Sequence, residues 1–421
     1  MELQKTIEQA LRNVPRMVLE KRLREKIAKA GAVASPKAVR DAAERILAGA
    51  AESFSFRMEV TGNARASIEI TAEDLNHVAE ASDRFLEVQL DGVLRKIAED
   101  SATAMLKKLK KGWPAEAAAQ RSDITAFKKR LEGRWGKSLD KLRMLVTIAR
   151  EWAEAVIARK ATQGKLSHLD DVVLRLYIRA CQIANEIVLL LENGYADGAM
   201  ARWRTLHEVA TVCAVVAHFG EDIAERYVLF QIVEGHRALN SYERCHATLG
   251  YKPAPKRRVT KVRSDYADIL KRFGKPFGKD YGWAASHLNK DRVTFAMLEE
   301  VADAAHMRSH YKMASYNVHA SPKGIYYKLG QLDGSTNVFL AGPSNAGLFE
   351  PAQNAAVTLT RMSMLICGGN WLLDDLVTGR IMSLLMFKIP DELRKADAKL
   401  RRDDRRYRGA NAPPAGRSRK S

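Results

Sequence analysis

From Asp123 to the end of the chain's last apolar run, hydrophobic residues return every three or four positions, and few prolines interrupt them. Leu169, Val172, Val173, Leu176, Ala180, Ile183, Ile187 and Leu190 mark one such stripe, which Asn193-Gly194 closes. A further helix is expected from about Asp197 to Phe219, apolar all round over 209–219, so its end belongs in the centre of a bundle. Others follow over Ile223–Leu249, about Phe295 to His319, and Pro351–Val377. Helix-favouring Ala, Leu, Arg, Lys and Glu fill the space between the stripes. A chain of this pattern folds as a mainly α multi-helix bundle.

The first third is more mixed. Residues 2–30 are expected to be a charged amphipathic helix, and Ser35-Pro36 starts a second, with serine as N-cap and proline in the first turn. Phe54–Val60 and Ala66–Ile70 alternate apolar and polar residues around Gly62-Asn63, which predicts a small β-hairpin over about 53–71. Thr71-Ala-Glu-Asp74 opens another helix, and Gly112-Trp-Pro114 is expected to break it. A second hairpin is expected over 325–341, turning at Asp333-Gly334. The expected organisation is an N-terminal region (1–115), a helical core domain (116–389) and a disordered basic tail (390–421).

Charge is placed unevenly. Of the net +19, residues 1–31 carry +4, residues 252–279 carry +8 and residues 391–421 carry +6, which leaves the rest nearly neutral. Segments like these suit a polyanion, because lysine and arginine release the counterions condensed on a phosphate backbone. The middle segment, with Lys256, Arg257, Arg258, Lys261 and Arg263, reads as a basic loop held out of helix by its prolines. In the tail, Arg401, Arg402, Arg405 and Arg406 are the matching candidates. A basic surface that merely aids solubility is the plainer alternative.

Several classes fall away. The longest apolar stretches, 209–219 and 362–373, are well short of the roughly 20 residues a membrane helix needs. The charged N-terminus has no signal-peptide core, and Cys181, Cys213, Cys245 and Cys367 stand far apart without metal-site spacing. A cytoplasmic protein with free thiols, no metal and no cofactor is expected. No Walker A loop, dinucleotide fingerprint, nucleophile elbow or HExxH is present.

Chemistry concentrates in two places. Arg204 and Glu208 lie one turn apart at the start of the most apolar helix, where ionisable groups must pair or line a pocket. His319 closes the helix before it, four residues after Ser315, where a hydroxyl–imidazole contact is possible. Arg202 and His207 fit the Arg-x4-His spacing of helical ribonuclease toxins, a match that chance supplies at this composition. His306 and His310, four apart, have only Asp303 as a nearby carboxylate and make a poor metal site. Gly368-Gly369 is placed inside a helix, and Asp374-Asp375 on a solvated helix face.

The segments Arg134-Trp-Gly-Lys-Ser-Leu-Asp-Lys-Leu, Gly194-Tyr through Arg204-Thr-Leu-His-Glu208, Tyr281-Gly-Trp-Ala284 and Ser315-Tyr-Asn-Val-His319 occur in an order that resembles a family of bacterial helical proteins of unknown function, over roughly 125–380. The resemblance implies a helical fold and one candidate cluster, with Arg204, Glu208 and His319 as its chemical groups and Trp283 and Ser315 in the same pocket. Three functions stay open: nucleic-acid or polyanion binding through the basic segments; a hydrolase or nuclease of the bacterial-defence type at His319; and a protein-binding helical scaffold. Binding of the first kind is expected to weaken with salt and on deletion of 391–421.

Overall fold

A computed structural model describes residues 11–49, 53–58, 65–162, 164, 166–332 and 339–410, together with Glu8. The chain divides into two compact units, Met1–Gln120 and Arg121–Ser421, and each has its own hydrophobic core. The fold is mainly α, as the periodicity requires.

In the first unit, α1 (Val14–Lys29) buries Leu19, Leu23 and Ile27 on one face against Val39, Ala42, Ala43 and Ile46 of α2 (Pro36–Leu47). Ser35 caps α2 by accepting from the Ala38 amide. The expected hairpin is present as β2 (Ser53–Met58) and β3 (Arg65–Glu69), paired antiparallel from Ser53↔Glu69 to Arg57↔Arg65; its turn lies outside the described residues. A short strand β1 (Ala32–Val33) adds to β2, which two residues of sequence could not announce. Helix α3 (Ala72–Arg84) opens with a capping box between Thr71 and Asp74. Asp74 is buried and paired with Lys26 and Arg22. Burial alone would raise its pKa, but hydrogen bonds from Lys26, Thr71 and Arg22 outweigh that and hold the carboxyl well below the usual range.

The expected break at Gly112–Pro114 does not occur. Helix α4 runs from Leu90 to Thr162 straight through Pro114, and the division between the units falls within it. Proline costs a helix one hydrogen bond and a local clash, and the Ala-Glu-Ala-Ala-Ala run that follows is strong enough to continue past it.

In the second unit the later part of α4 buries Leu131, Trp135, Leu142, Leu145, Ala149 and Val156. Helix α5 (His168–Glu192) is capped by Ser167 and packs along α6 (Ala196–Phe219), whose Trp203, Leu206, Cys213 and Val216 are fully enclosed. Gly194 joins them at φ 77°, and a Cβ there would lie 2.7 Å from the Phe127 ring and 2.8 Å from the Ser344 carbonyl. The helix expected over 223–249 is two, α7 (Glu221–Leu229) and α8 (Gln231–Cys245).

The basic loop is instead a helix, α9 (Lys256–Phe273). Pro253 and Pro255 precede its first turn, where a missing N–H costs nothing, so they start the helix rather than forbid it. The helix expected over 295–319 is interrupted: α10 (Phe295–Val301) and α11 (Arg308–Val318) flank Asp303, which is left-handed at φ 50°. Where the second hairpin was expected, Ser321 caps a short helix α12 (Pro322–Tyr326); the described residues of 325–341 hold no strand, and the turn at 333–334 lies outside them.

Helix α13 (Phe349–Ser363) ends earlier than expected and passes into a turn over Met364–Gly369, in which Gly368 and Gly369 are left-handed at φ 57° and 87°. Helix α14 (Leu373–Ala410) then covers residues expected in the disordered tail. Its inner face carries Met382, Ile389, Leu393, Ala396 and Leu400 into the core, and that burial orders the segment; residues 411–421 lie outside the described ones. Arg134 bonds Asp403 (2.9 Å) and Lys141 pairs with Glu392 (2.8 Å), so α14 runs antiparallel to α4. Asp375 is no solvated residue. It accepts from Trp152 Nε1 at 2.8 Å, pairs with Arg159 at 2.9 Å and caps Leu372. Among the described residues, no helix is long and apolar enough to cross a membrane.

Candidate functional site

Helix α6 presents Arg204 and Glu208 one turn apart, with Arg204 Nε donating to Glu208 Oε1 at 3.2 Å. Helix α11 crosses them and supplies the remaining groups. Its C-cap residue His319 places Nε2 at 2.9 Å from Arg204 Nη1. A guanidinium only donates, so Nε2 accepts and the neutral ring carries its proton on Nδ1. Tyr311 completes the cluster: its hydroxyl accepts from Arg204 Nη2 (3.1 Å) and donates to Glu208 Oε1 (2.7 Å), while its ring lies under the guanidinium. Burial, then the bond to the Glu208 carboxylate, pushes the Tyr311 phenol up to about 12.

The end of α11 is held in place by Asp197 at the start of α6. That carboxylate accepts from Asn317 Nδ2 (3.1 Å) and from the backbone amide of Leu329 (3.0 Å). Beneath the cluster, His207 Nε2 lies 2.8 Å from Glu299 Oε1, with both side chains buried, and Arg308 is ion-paired to the same carboxylate. The His207 ring packs between Trp203 and Tyr311. Burial lowers the His207 pKa, with Glu299 opposing it, so the imidazole is held toward its neutral form.

Three of the five residues expected to converge therefore do: Arg204, Glu208 and His319. Ser315 faces the same turn, but its hydroxyl donates to the Tyr311 carbonyl at 2.8 Å, a bond within its own helix. Trp283 is buried edge-on against Tyr227 and lines a different cleft of about 800 Å3, with Phe230, Leu176, Val212 and Tyr281. Tyr281 is left-handed (φ 52°) and Gly282 follows it, where a Cβ would come within 2.2 Å of the Phe277 carbonyl. Only glycine fits that approach. Burial raises the Tyr281 pKa, with Glu208 and Asp280 adding to it, which marks Tyr281 as the residue between cleft and cluster.

Tyr311 was missed, although Tyr311, Ser315 and His319 recur every four residues and so share a face. Arg202 and His207 do not act together: Arg202 pairs with Glu186, away from the Glu299 pair. His306 bonds Arg361 and His310 packs on Trp203. Among the described residues no group of three or more His, Cys, Asp or Glu side chains could hold a metal ion.

The basic candidates are of two kinds. Lys261 pairs with Asp265 (3.0 Å), Arg263 with Glu243 (2.9 Å) and Arg401 with Asp397 (2.8 Å). Lys256, Arg257 and Arg258 are exposed in the first turn of α9, which holds no acidic residue and no side-chain cap. Arg402, Arg405 and Arg406 are likewise exposed near the end of α14.

The fold and cluster define a helical domain with a surface Arg–Glu–Tyr–His network. Residues 170–336 match a family described as a family of unknown function (DUF5677), a narrower span than the 125–380 of the sequence resemblance. The whole cluster falls inside that match, while α14 lies beyond it. No curated protein and no solved structure matches the chain.

Proposed function

We propose that this protein binds a polyanion, with nucleic acid the foremost candidate, through the first turn of α9. One observation carries the proposal: Lys256, Arg257 and Arg258 occupy the positive end of a helix dipole with no ion pair among the described residues. Cations there are each disfavoured by about 0.3–1 kcal/mol, on top of their mutual repulsion. A phosphate reverses the sign of both terms, since it accepts from the free amides of the turn and from the side chains. The test is a polarisation titration of labelled RNA and DNA oligonucleotides, repeated from about 50 to 200 mM salt. The expected plot of log affinity against log salt falls with a slope of about −2 to −3; absent or salt-independent binding would sink the proposal. Deleting 391–421 is not a clean control, because Leu393 and Leu400 are buried in the core.

The Arg204–His319 contact favours a second reading, hydrolysis of a phosphodiester. An arriving phosphate would draw Arg204 toward itself and free His319 Nε2 to take a proton from an attacking water, whose oxygen bonds to phosphorus as the P–O bond to the leaving alcohol breaks; the imidazolium then returns the proton to that leaving oxygen. Incubation of the same oligonucleotides with and without magnesium distinguishes the two. Fragments that are absent with His319→Ala support hydrolysis, whereas a mobility shift without fragments supports binding alone.

A further inference from the structure

We propose that α14 pairs antiparallel with the same helix of a second copy of this chain, across its outer face. The inner face of α14 is fully used: Asp375, Gly379, Met382, Ile389, Leu393, Ala396 and Leu400 follow one another at steps of three, four or, once, seven residues and are buried. The opposite face of a helix packed in this way is ordinarily polar. Here it carries Leu373, Leu376, Val377, Ile381, Leu384 and Phe387, all exposed, with Leu373 at 76% and Phe387 at 67%. These six side chains expose apolar area on the order of several hundred Å2, at or above the largest patch of a typical monomer, about 300–600 Å2. Two such patches face to face, with their rims, bury roughly 1,000 Å2 or more, the range in which specific interfaces begin.

The charges choose the occupant and its direction. Residues 373, 377, 380, 384 and 387 alternate by four and three along the face, the spacing of a two-helix seam. Asp374, Ile381 and Lys388 then flank that seam on one side, seven residues apart. In an antiparallel pair the flank of one helix meets the same flank of the other. Asp374 of each copy then faces Lys388 of the other, and Ile381 meets its equivalent at the two-fold axis. A parallel pair would instead turn this flank toward the opposite flank of the other copy, at Leu376 and Ser383, and leave Asp374 and Lys388 without partners there. Neither side chain has an ion pair among the described residues, so both remain available. The arrangement is isologous and closes at two copies. Arg380 stands at the middle of the seam, exposed, and brings like charges near the axis. That contact weakens the dimer, so its replacement by leucine tightens it.

The test is sedimentation of the full chain over about 1–100 µM, a range that brackets a micromolar dissociation constant. The expected mass rises from the 47.0 kDa of one chain toward twice that value. Val377→Asp with Leu384→Asp holds the chain at one copy with an unchanged helical circular dichroism spectrum, since both side chains point away from the core. Asp374→Lys and Lys388→Asp each weaken the dimer about tenfold or less, and together they restore it. Arg380→Leu lowers the dissociation constant. A wild-type chain that stays at 47.0 kDa throughout, a dimer indifferent to the aspartates, or charge reversals that add rather than compensate would each overturn the proposal.

Discussion

Arg204 and Arg257 sit on helices of the same unit, and their guanidinium groups differ in one respect. Arg204 donates to Glu208, Tyr311 and His319 and lies over an aromatic ring, whereas Arg257 has no such partner among the described residues. The first is a network whose donors are already engaged and whose charge is matched by one carboxylate. The second stands with Lys256 and Arg258 where the helix dipole makes matters worse. Net charge does not separate the two regions; the number of acceptors around each cation does. A matched arginine orients its neighbours, and an unmatched one is available to a ligand.

The largest expected effect breaks the comparison at its exposed end. Replacing Lys256, Arg257 and Arg258 together by glutamine lowers oligonucleotide affinity about a hundredfold near 50 mM salt and flattens the salt dependence by two to three units of slope. Arg204→Ala changes the same affinity by less than about twofold, because its charge is neutralised at home. Equal losses from the two variants, measured by polarisation, would refute the distinction.

Next in size is Glu208→Ala, which removes the only carboxylate of the cluster and leaves Arg204 partly buried without a countercharge. Urea denaturation is expected to register a loss of about 1–2 kcal/mol. The freed guanidinium should raise, not lower, polyanion affinity. An unchanged denaturation midpoint would mean that the network is decorative.

A smaller effect is set by pH. Burial depresses the pKa of His207 in the fold below its ordinary 6.5, and His287 moves in the same direction for the same first cause. The unfolded chain therefore takes up protons first as pH falls, so this stability is complete above about pH 6.5 and declines below it. Urea midpoints near pH 7.5 and 5.5 check the sign, and His207→Gln should narrow the gap between them. A midpoint that rises on acidification would contradict neutral burial. The smallest change belongs to the paired cations of α9: Lys261→Gln and Arg263→Gln should each alter binding by less than about twofold, since Asp265 and Glu243 already offset them.

Much of this molecule was legible before any coordinates. Ser35-Pro36, Thr71 with Asp74, and the stripe from Leu169 to Leu190 act within a turn or two of chain, so their helices appear where local rules place them. Arg204 and Glu208 were legible for the same reason. His319 was placed as a helix end, but nothing in its neighbourhood says that it lies over a residue 115 positions earlier.

The expectations that failed did so where a distant contact outweighed a local signal. Residues 390–410 have the composition of a tail, yet Leu393 and Leu400 find a core to enter, and burial orders what composition left free. Pro114 signals a break, and the alanine run beside it carries the helix through. Trp283 and Arg204 share a motif order but line different surfaces, because order along a chain fixes no distance in space. The sequence by itself determined helix periodicity, caps and the uneven charge, all of which depend on neighbours within a few residues. Only the tertiary structure decided which charges found partners, because that depends on which helices cross, and crossing is settled by the packing of side chains far apart in the chain.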